Sequence, residues 1–246
     1  MICDAHVHLK HGDAARTEYS PDTIVRTMDA VGIDRSVVFA MATTTRRSIQ
    51  MAEAAVGRFP DRLIPYVYAL PSYERRVVDE LAEALCERGF RGIKLHAGEC
   101  RLAGYVVDPV FELARRCGAP CLVDFAGDSA AAERLAARFP QTTILVAHLG
   151  KYLCTDGRLL DRFISLAAPY PNMYLDVSGV AAPAKIAEAV ARVGSKRVVW
   201  GSDGPHEAPD TVGFARRELA KVEALGLSED EKADLLGAAI AGLLGL

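Results

Sequence analysis

The residues ICDAHVHLKHG, at positions 2–12, decide between two α/β architectures. Residues 2–9 form a largely apolar run that predicts a β-strand. In a doubly wound parallel sheet, the first strand usually leads into a glycine-rich loop that binds phosphate. Here the strand itself carries His6 and His8, and Lys10 and His11 follow where that loop would begin. The stretch therefore favours a closed (β/α)8 barrel over a doubly wound sheet.

Similar apolar runs recur along the whole chain. With the first one, they predict eight strands over residues 2–9, 36–40, 63–70, 92–96, 120–126, 143–150, 173–179 and 198–203. Successive strands begin about 28 residues apart, roughly the length that one strand, one helix and two loops require. Runs such as VVFA and ILVA are apolar on both faces, as expected of parallel strands covered by helices.

The segments between the strands carry helix boundary signals. Ser20 before Pro21 and Asp108 before Pro109 each offer an N-cap followed by proline at the first helical position. Gly118 is a predicted helix end, and Ser228 with Glu231 has the spacing of a capping box. No linker-like or low-complexity stretch interrupts the alternation. We therefore predict an α/β fold with a single domain over residues 1–246, a TIM-like (β/α)8 barrel.

Composition excludes several classes of protein. The 246 residues include 29 Lys and Arg against 32 Asp and Glu, a net charge of −3, which argues against nucleic acid as a partner. The longest uncharged tail, residues 235–246, is too short to span a bilayer, and the charged start does not fit a signal peptide. The six cysteines form no CxxC pair and predict reduced, mostly buried thiols in a cytoplasmic protein.

Polar residues concentrate at the predicted carboxyl ends of the strands, where barrel enzymes place their chemistry. These ends carry His6, His8, Lys94, His96, Asp124, His148, Asp176, Ser178, Ser202 and Asp203. The set includes four of the six histidines in the chain. His11 and His206 fall outside it, and we expect both in surface loops.

His6 and His8 are two residues apart on a strand, so their side chains point to the same face. Two imidazoles on one face suit a divalent metal such as zinc, although buried histidines bonded to neighbouring carbonyls would give the same pattern. Asp203 ends strand eight, which adjoins strand one in a closed barrel. It can serve as a metal ligand and as a base for water, or instead as a helix N-cap.

Several of the remaining candidates have more than one interpretation. His148 is a further metal ligand or polarises a substrate carbonyl, unless it is a hydrogen-bonded core residue. Lys94 and His96 share one face of strand four. A buried Lys94 is expected to pair with Asp124 on strand five, or else to anchor a substrate carboxylate or form a carboxylated metal bridge. For Asp176 and Ser178 we expect hydrogen bonding at the barrel rim.

Four motifs, DAHVHL, ILVAHLG, MYLDVSG and VVWGSDGPH, together resemble the amidohydrolase superfamily over essentially the whole chain. The resemblance is strongest to the amidohydrolase-related group that contains aminocarboxymuconate-semialdehyde decarboxylase. It implies a distorted TIM barrel with one divalent ion, usually Zn²⁺, with Mn²⁺ as the alternative. His6, His8 and Asp203 match that group's strand-one and strand-eight ligands, and His148 matches its strand-six histidine.

Two positions depart from the group's pattern. Asp124, in PCLVDFAG, stands where the group usually has a histidine ligand, and Ala238 stands where it usually has asparagine. Asp124 either ligates the metal itself or pairs with Lys94 and leaves a weaker site. With Lys94 and His96, it is assigned to substrate binding.

These residues predict a metal-dependent hydrolase that cleaves an amide, lactone or ester bond in a small anionic molecule. Asp203 would be the base and His148 the second catalytic residue. Non-oxidative decarboxylation of a small carboxylic acid is the alternative, and a barrel that binds without catalysis is the third hypothesis. A homodimer is expected from the frequency of such assemblies.

Overall fold

Eight parallel strands pair side by side in chain order in the computed structural model, which describes residues 1–75, 77–206 and 210–246. The strands are β1 (Cys3–Lys10), β2 (Arg35–Ala40), β3 (Leu63–Tyr68), β4 (Gly92–His96), β5 (Cys121–Asp124), β6 (Ile144–Val146), β7 (Met173–Asp176) and β8 (Val198–Val199). Backbone hydrogen bonds from Ala5 N to Trp200 O and from His8 N to Gly204 O join the first strand to the segment after β8. The predicted (β/α)8 barrel is thereby confirmed.

Helices alternate with the strands and cover the outside of the barrel. They are α1 (Pro21–Val31), α2 (Thr45–Arg58), α3 (Val78–Glu87), α4 (Gly104–Cys117), α5 (Ser129–Arg138), α6 (Gly157–Ala167), α7 (Ala184–Val193) and α8 (Thr211–Glu223), followed by the shorter α9 (Glu229–Ala233) and α10 (Ala239–Leu244). Among the described residues, no helix is both long and apolar enough to cross a membrane.

Three of the four predicted helix boundaries are confirmed. The Ser20 side chain accepts a hydrogen bond from Thr23 N at the start of α1, and Gly118 ends α4 in the left-handed region. Ser228 and Glu231 form the capping box of α9. The predicted start at Asp108 is wrong, because α4 begins at Gly104 and the Asp108 carboxylate binds two arginines instead.

Several strands end earlier than their apolar runs. The run 143–150 forms a strand only over Ile144–Val146, and the chain then turns at His148 and Leu149, whose φ angles are 59° and 49°. The run 198–203 likewise becomes the two-residue β8, and Asp203 has a φ of 60°. Leaving the extended conformation lets the chain direct polar side chains over the barrel mouth.

The alternation of side chains divides the core into two layers. Along β4, Ile93 and Leu95 pack in the layer between strands and helices, while Lys94 and His96 lie on the other face. A second apolar cluster fills the barrel interior, with Tyr66, Tyr68 and Leu122 among its members. Polar groups therefore collect at the carboxyl ends of the strands, above this apolar interior.

Candidate metal centre

His6 and His8 lie side by side on β1, with ring centroids 5.2 Å apart. His6 is completely buried and His8 nearly so. Because residues two apart on a strand share a face, both imidazoles reach the barrel mouth. Burial lowers the pKa of His6 from 6.5 to about 3 and also lowers the pKa of His8. Both rings are therefore neutral at physiological pH, the form in which histidine binds metals.

Asp203 meets both histidines through one carboxylate oxygen. Its Oδ1 lies 3.1 Å from His6 Nε2 and 2.9 Å from His8 Nε2. Gly201 makes this approach possible, because a Cβ at that position would lie 2.7 Å from the Cβ of His6. The alternative role of Asp203 as a helix N-cap is wrong, since α8 begins at Thr211 and Asp210 caps it.

The hydrogen bonds of His6 show why a cation fits here. Its Nδ1 lies 2.8 Å from Asp176 Oδ2, a carboxylate oxygen that can only accept, so Nδ1 carries the proton. The neutral ring then directs the lone pair of Nε2 toward Asp203 Oδ1, which is also an acceptor. Lys94 Nζ, 3.1 Å from Nε2, offsets this conflict in part, and a cation held by both acceptor atoms would remove it. Donors around tetrahedral zinc, each at about 2.0–2.1 Å from the ion, lie roughly 3.3 Å apart, close to the separations found here.

Asp203 and Asp176 both remain ionised. Burial alone would raise the pKa of Asp203, but the nearby His148 and hydrogen bonds from His206 and His8 hold it well below its usual value. Burial of Asp176 is likewise outweighed by His6, His148 and the Ser178 amide, which lower its pKa. The donor atoms of His6, His8 and Asp203 all lie within 4.8 Å of one another. Two imidazoles and a carboxylate are a donor set typical of zinc.

His148 belongs to a second group, with His6 and Asp176. Its Nδ1 lies 2.8 Å from the carbonyl oxygen of Ser178, so Nδ1 is protonated and donates. Ser178 Oγ donates to Asp176 Oδ2 at 2.7 Å and lies 3.1 Å from both His6 Nδ1 and His148 Nδ1. Asp176 and Ser178 therefore orient the rings of His6 and His148, in addition to forming hydrogen bonds at the barrel rim.

Lys94 and Asp124, both in the described part of the chain, do not form the expected ion pair. The register of β4 and β5 places Asp124 opposite His96 and Leu122 opposite Lys94. Lys94 Nζ instead lies 3.1 Å from His6 Nε2, with 1% of the residue exposed. Burial lowers the pKa of Lys94, although Asp124, Asp203, Asp176 and Glu99 oppose this shift.

Asp124 and His96 form a pair on the pocket wall. Gly98 N donates to His96 Nδ1, so the neutral ring carries its proton on Nε2, which lies 3.1 Å from Asp124 Oδ2. The same oxygen lies 3.6 Å from His148 Nε2. Burial would raise the pKa of Asp124, but the His96 hydrogen bond, His148 and Lys94 hold it below the usual value.

His11 is not the surface residue that we expected. It is 5% exposed, and its ring lies 4.3 Å from the His8 ring and 4.2 Å from the His206 ring, between centroids. His206 is half-buried, with Nε2 3.4 Å from Asp203 Oδ2. Three histidines within residues 6–11 are a signal that could have identified His11 from the sequence.

A cavity of about 330 Å³ opens above these groups at the carboxyl ends of the strands. All seven predicted site residues line it: His6, His8, Lys94, His96, Asp124, His148 and Asp203. The cavity also contacts residues that the sequence did not single out, namely Met41, Glu99 and Tyr152. Tyr68 OH donates to Glu99 Oε2 at 2.6 Å, which fixes that carboxylate at the wall.

A family model described as Amidohydrolase matches residues 3–246. Comparison with curated proteins gave no match. Solved structures share the fold. The chain is similar to 5-carboxyvanillate decarboxylase from Sphingomonas paucimobilis, with a TM-score of 0.75 and 15% identity, covering 100% of this chain and 99% of that one.

Two further structures have different descriptions. An amidohydrolase from Burkholderia multivorans with bound zinc has a TM-score of 0.75 and 16% identity, covering 100% of this chain and 99% of that one. 4-Oxalomesaconate hydratase from Rhodopseudomonas palustris has a TM-score of 0.71 and 15% identity, covering 100% and 96%. At these identities, the likeness shows the shared fold.

Proposed function

This chain belongs to the amidohydrolase family, and from that premise we propose that it is a metal-dependent hydrolase of a small anionic molecule. The bond that it cleaves is a C–N or C–O bond of an amide, lactone or ester. The observation that carries this proposal is that the two carboxylate oxygens of Asp203 have different neighbours. Its Oδ1 meets His6 and His8, while Oδ2 faces His206.

We assign one divalent ion to His6, His8 and Asp203, with zinc preferred and manganese as the alternative. When bound, such an ion polarises a carbonyl and lowers the pKa of water toward roughly 7. Asp176 supports the assignment, because a carboxylate that accepts from the far nitrogen of a ligating histidine fixes its tautomer. Zinc in the Burkholderia multivorans structure supports the choice of metal.

Asp203 is the general base of this proposal. Its carboxylate is ionised, so it can accept a proton from the attacking water and later return it to the leaving group. His206 lies 3.4 Å from Asp203 Oδ2, and 27% of its side chain is exposed. This histidine therefore offers a route for protons between Asp203 and solvent.

His148 acts on the substrate carbonyl. Because its Nδ1–H is committed to Ser178 O, the ring can donate a hydrogen bond from Nε2 only in the doubly protonated form. Asp124 Oδ2, 3.6 Å from Nε2, supplies a negative charge beside that form. Asp124 in turn is held in place by His96 and by the amide of Ala126.

Lys94 is assigned to the anionic group of the substrate. Its ammonium lies deep in a pocket that also contains the carboxylates of Asp124, Asp203 and Glu99. An anion would be repelled by these carboxylates, so its binding requires the positive charge of Lys94 and of the metal. His96 extends the same wall toward solvent, with 26% of its side chain exposed. A homodimer in the cytoplasm is part of the same proposal.

Non-oxidative decarboxylation is the second candidate, because one structure of the same fold is a carboxyvanillate decarboxylase. That reaction needs an acid to protonate carbon after carbon dioxide leaves. The ionised state of Asp203 favours hydrolysis, since an ionised carboxylate has no proton to deliver.

The test begins with protein purified without chelators, whose metal content is measured by plasma mass spectrometry. We then screen lactones, N-acyl amino acids and hydroxybenzoates in water enriched in heavy oxygen. Hydrolysis incorporates the heavy oxygen into product, and Asp203→Asn abolishes it. Carbon dioxide release without that label would establish decarboxylation instead. Absence of both metal and turnover would favour a binding barrel. The matched control is Asp234→Asn, because the Asp234 carboxylate accepts a hydrogen bond from Ser195 outside the pocket.

A further inference from the structure

Two cysteines from neighbouring helices meet on the outside of the barrel. Cys86 is the second-last residue of α3, and Cys117 is the last residue of α4. Their Sγ atoms lie 3.7 Å apart, although 31 positions separate them in the chain. Cys86 is exposed and Cys117 half-buried, whereas the other four cysteines are buried.

We propose that Cys86 and Cys117 form a reversible disulfide that ties α3 to α4 when the protein meets a small disulfide oxidant such as oxidised glutathione. The sequence alone gave no reason to pair them, because neither belongs to a CxxC motif. The proposal is independent of the reaction assigned to the pocket.

The geometry requires only a local adjustment. The two sulfur atoms must close from 3.7 Å to about 2.0 Å, the length of an S–S bond. Both residues sit in the last turn of their helices, and a change of χ1 rotamer moves each sulfur without moving the rest of the helix. No other pair among the six cysteines has a sulfur–sulfur contact in the described structure.

Accessibility sets the order of the exchange. Exposed Cys86 attacks as the thiolate on one sulfur of oxidised glutathione, which expels one glutathione thiolate and leaves a mixed disulfide. Cys117 then loses its proton and attacks Cys86 Sγ, which expels the second glutathione thiolate. Two protein thiols are oxidised to one disulfide, oxidised glutathione is reduced to two thiols, and the protons pass to the departing thiolates through water. Burial raises the pKa of Cys117, consistent with its acting second.

A disulfide between Cys86 and Cys117 closes a loop over residues 86–117. It contains all of β4, and so it includes Lys94 and His96. Helices in a (β/α)8 barrel run antiparallel to the strands, so their carboxyl ends lie at the face opposite the pocket. The disulfide therefore constrains the segment that carries two site residues without approaching the cavity. It should stabilise the fold and leave activity unchanged.

The test treats the full-length protein with oxidised glutathione and maps peptides under non-reducing conditions. We expect one intramolecular Cys86–Cys117 link, loss of two thiols and full reversal by dithiothreitol. Closing a loop of 31 positions should raise Tm by roughly 5–15 °C. Cys86→Ser removes both effects, and Cys117→Ser leaves glutathione attached to Cys86. Cys154→Ser, at a buried thiol, is the matched control.

Three results would overturn the proposal. They are a stable glutathione adduct on Cys86 of the unaltered protein, a link between two chains instead of within one, and retention of both thiols. A correct link that leaves Tm unchanged would refute the stabilising role. Metal content and turnover are measured on the same samples, and their failure would concern the proposed hydrolase alone.

Discussion

Replacing Asp176 with asparagine tests how the centre around His6 is organised. The Asp176 carboxylate accepts three hydrogen bonds, from His6 Nδ1 at 2.8 Å, Ser178 Oγ at 2.7 Å and Ser178 N at 2.9 Å. The first two reach Oδ2 and the third reaches Oδ1. Asparagine has one acceptor oxygen, so its NH₂ group must face a donor on one side. The Asp176→Asn variant therefore disturbs the tautomer of His6 or the turn at Ser178.

The size of the effect follows from these contacts. A charge-assisted hydrogen bond contributes about 1.5–3 kcal/mol, and its loss at a completely buried pair is not compensated by water. Loss of a carboxylate that orients a ligating histidine typically weakens metal binding by about 10–100-fold, or about 1.4–2.8 kcal/mol. The two values agree, so we expect the Kd for zinc to rise by about 10–100-fold.

The assay is competition for zinc between the protein and a chromophoric chelator at neutral pH. Asp234→Asn makes the same substitution at a carboxylate that accepts from Ser195 Oγ at 2.6 Å, and it should leave the Kd unchanged. Circular dichroism checks that both variants are folded. A folded Asp176→Asn protein with an unaltered Kd would show that His6 is not held in this way, and the assignment of its tautomer would be wrong.

Further predictions concern Lys94, Gly201 and His11. Lys94→Gln should lower kcat/KM for an anionic substrate about 10–100-fold, mainly through KM, while metal content by plasma mass spectrometry stays unchanged. Gly201→Ala places a Cβ 2.7 Å from that of His6, and urea denaturation should show a loss of about 1–3 kcal/mol. Burial lowers the pKa of His11 to about 3, so the unfolded chain binds more protons below pH 6.5 and stability falls as pH falls from 6.5 toward 3. Near pH 5, protonation of His11 in the unfolded chain lowers the free energy of unfolding by about 2 kcal/mol. Glutamine does not titrate, so the Tm of His11→Gln should fall less between about pH 8 and about pH 5, by about 4–8 °C. An equal drop in both proteins would contradict the buried position of His11.

The polar residues at the carboxyl ends of the strands could be assigned to one site from the sequence, because local alternation sets which face each side chain occupies. Alternation on β1 places His6 and His8 on one face, and closure of the barrel brings the end of β8 next to them. Asp203 could thus be assigned to the same centre without coordinates. The approach of Oδ1 to both rings follows from the adjacency of the first and last strands.

Partners across strands were harder to predict. Lys94 was expected to meet Asp124, but the register pairs Asp124 with His96. The sequence defines which face a side chain occupies, whereas its height in the barrel depends on hydrogen bonds between distant segments. A shift of two residues retains the face and changes the partner.

The amino-acid sequence by itself determined the barrel, the order of its strands and the end at which polar groups gather, because period-two alternation and helix signals act over a few residues. Tertiary structure alone decided that His206 lies against His11, that Asp176 orients His6 and that Cys86 meets Cys117. Each of these contacts joins loops, strands or helices whose relative height and rotation are set by packing of the whole barrel. No local pattern encodes that arrangement, because the free energy that fixes it is shared among many distant residues.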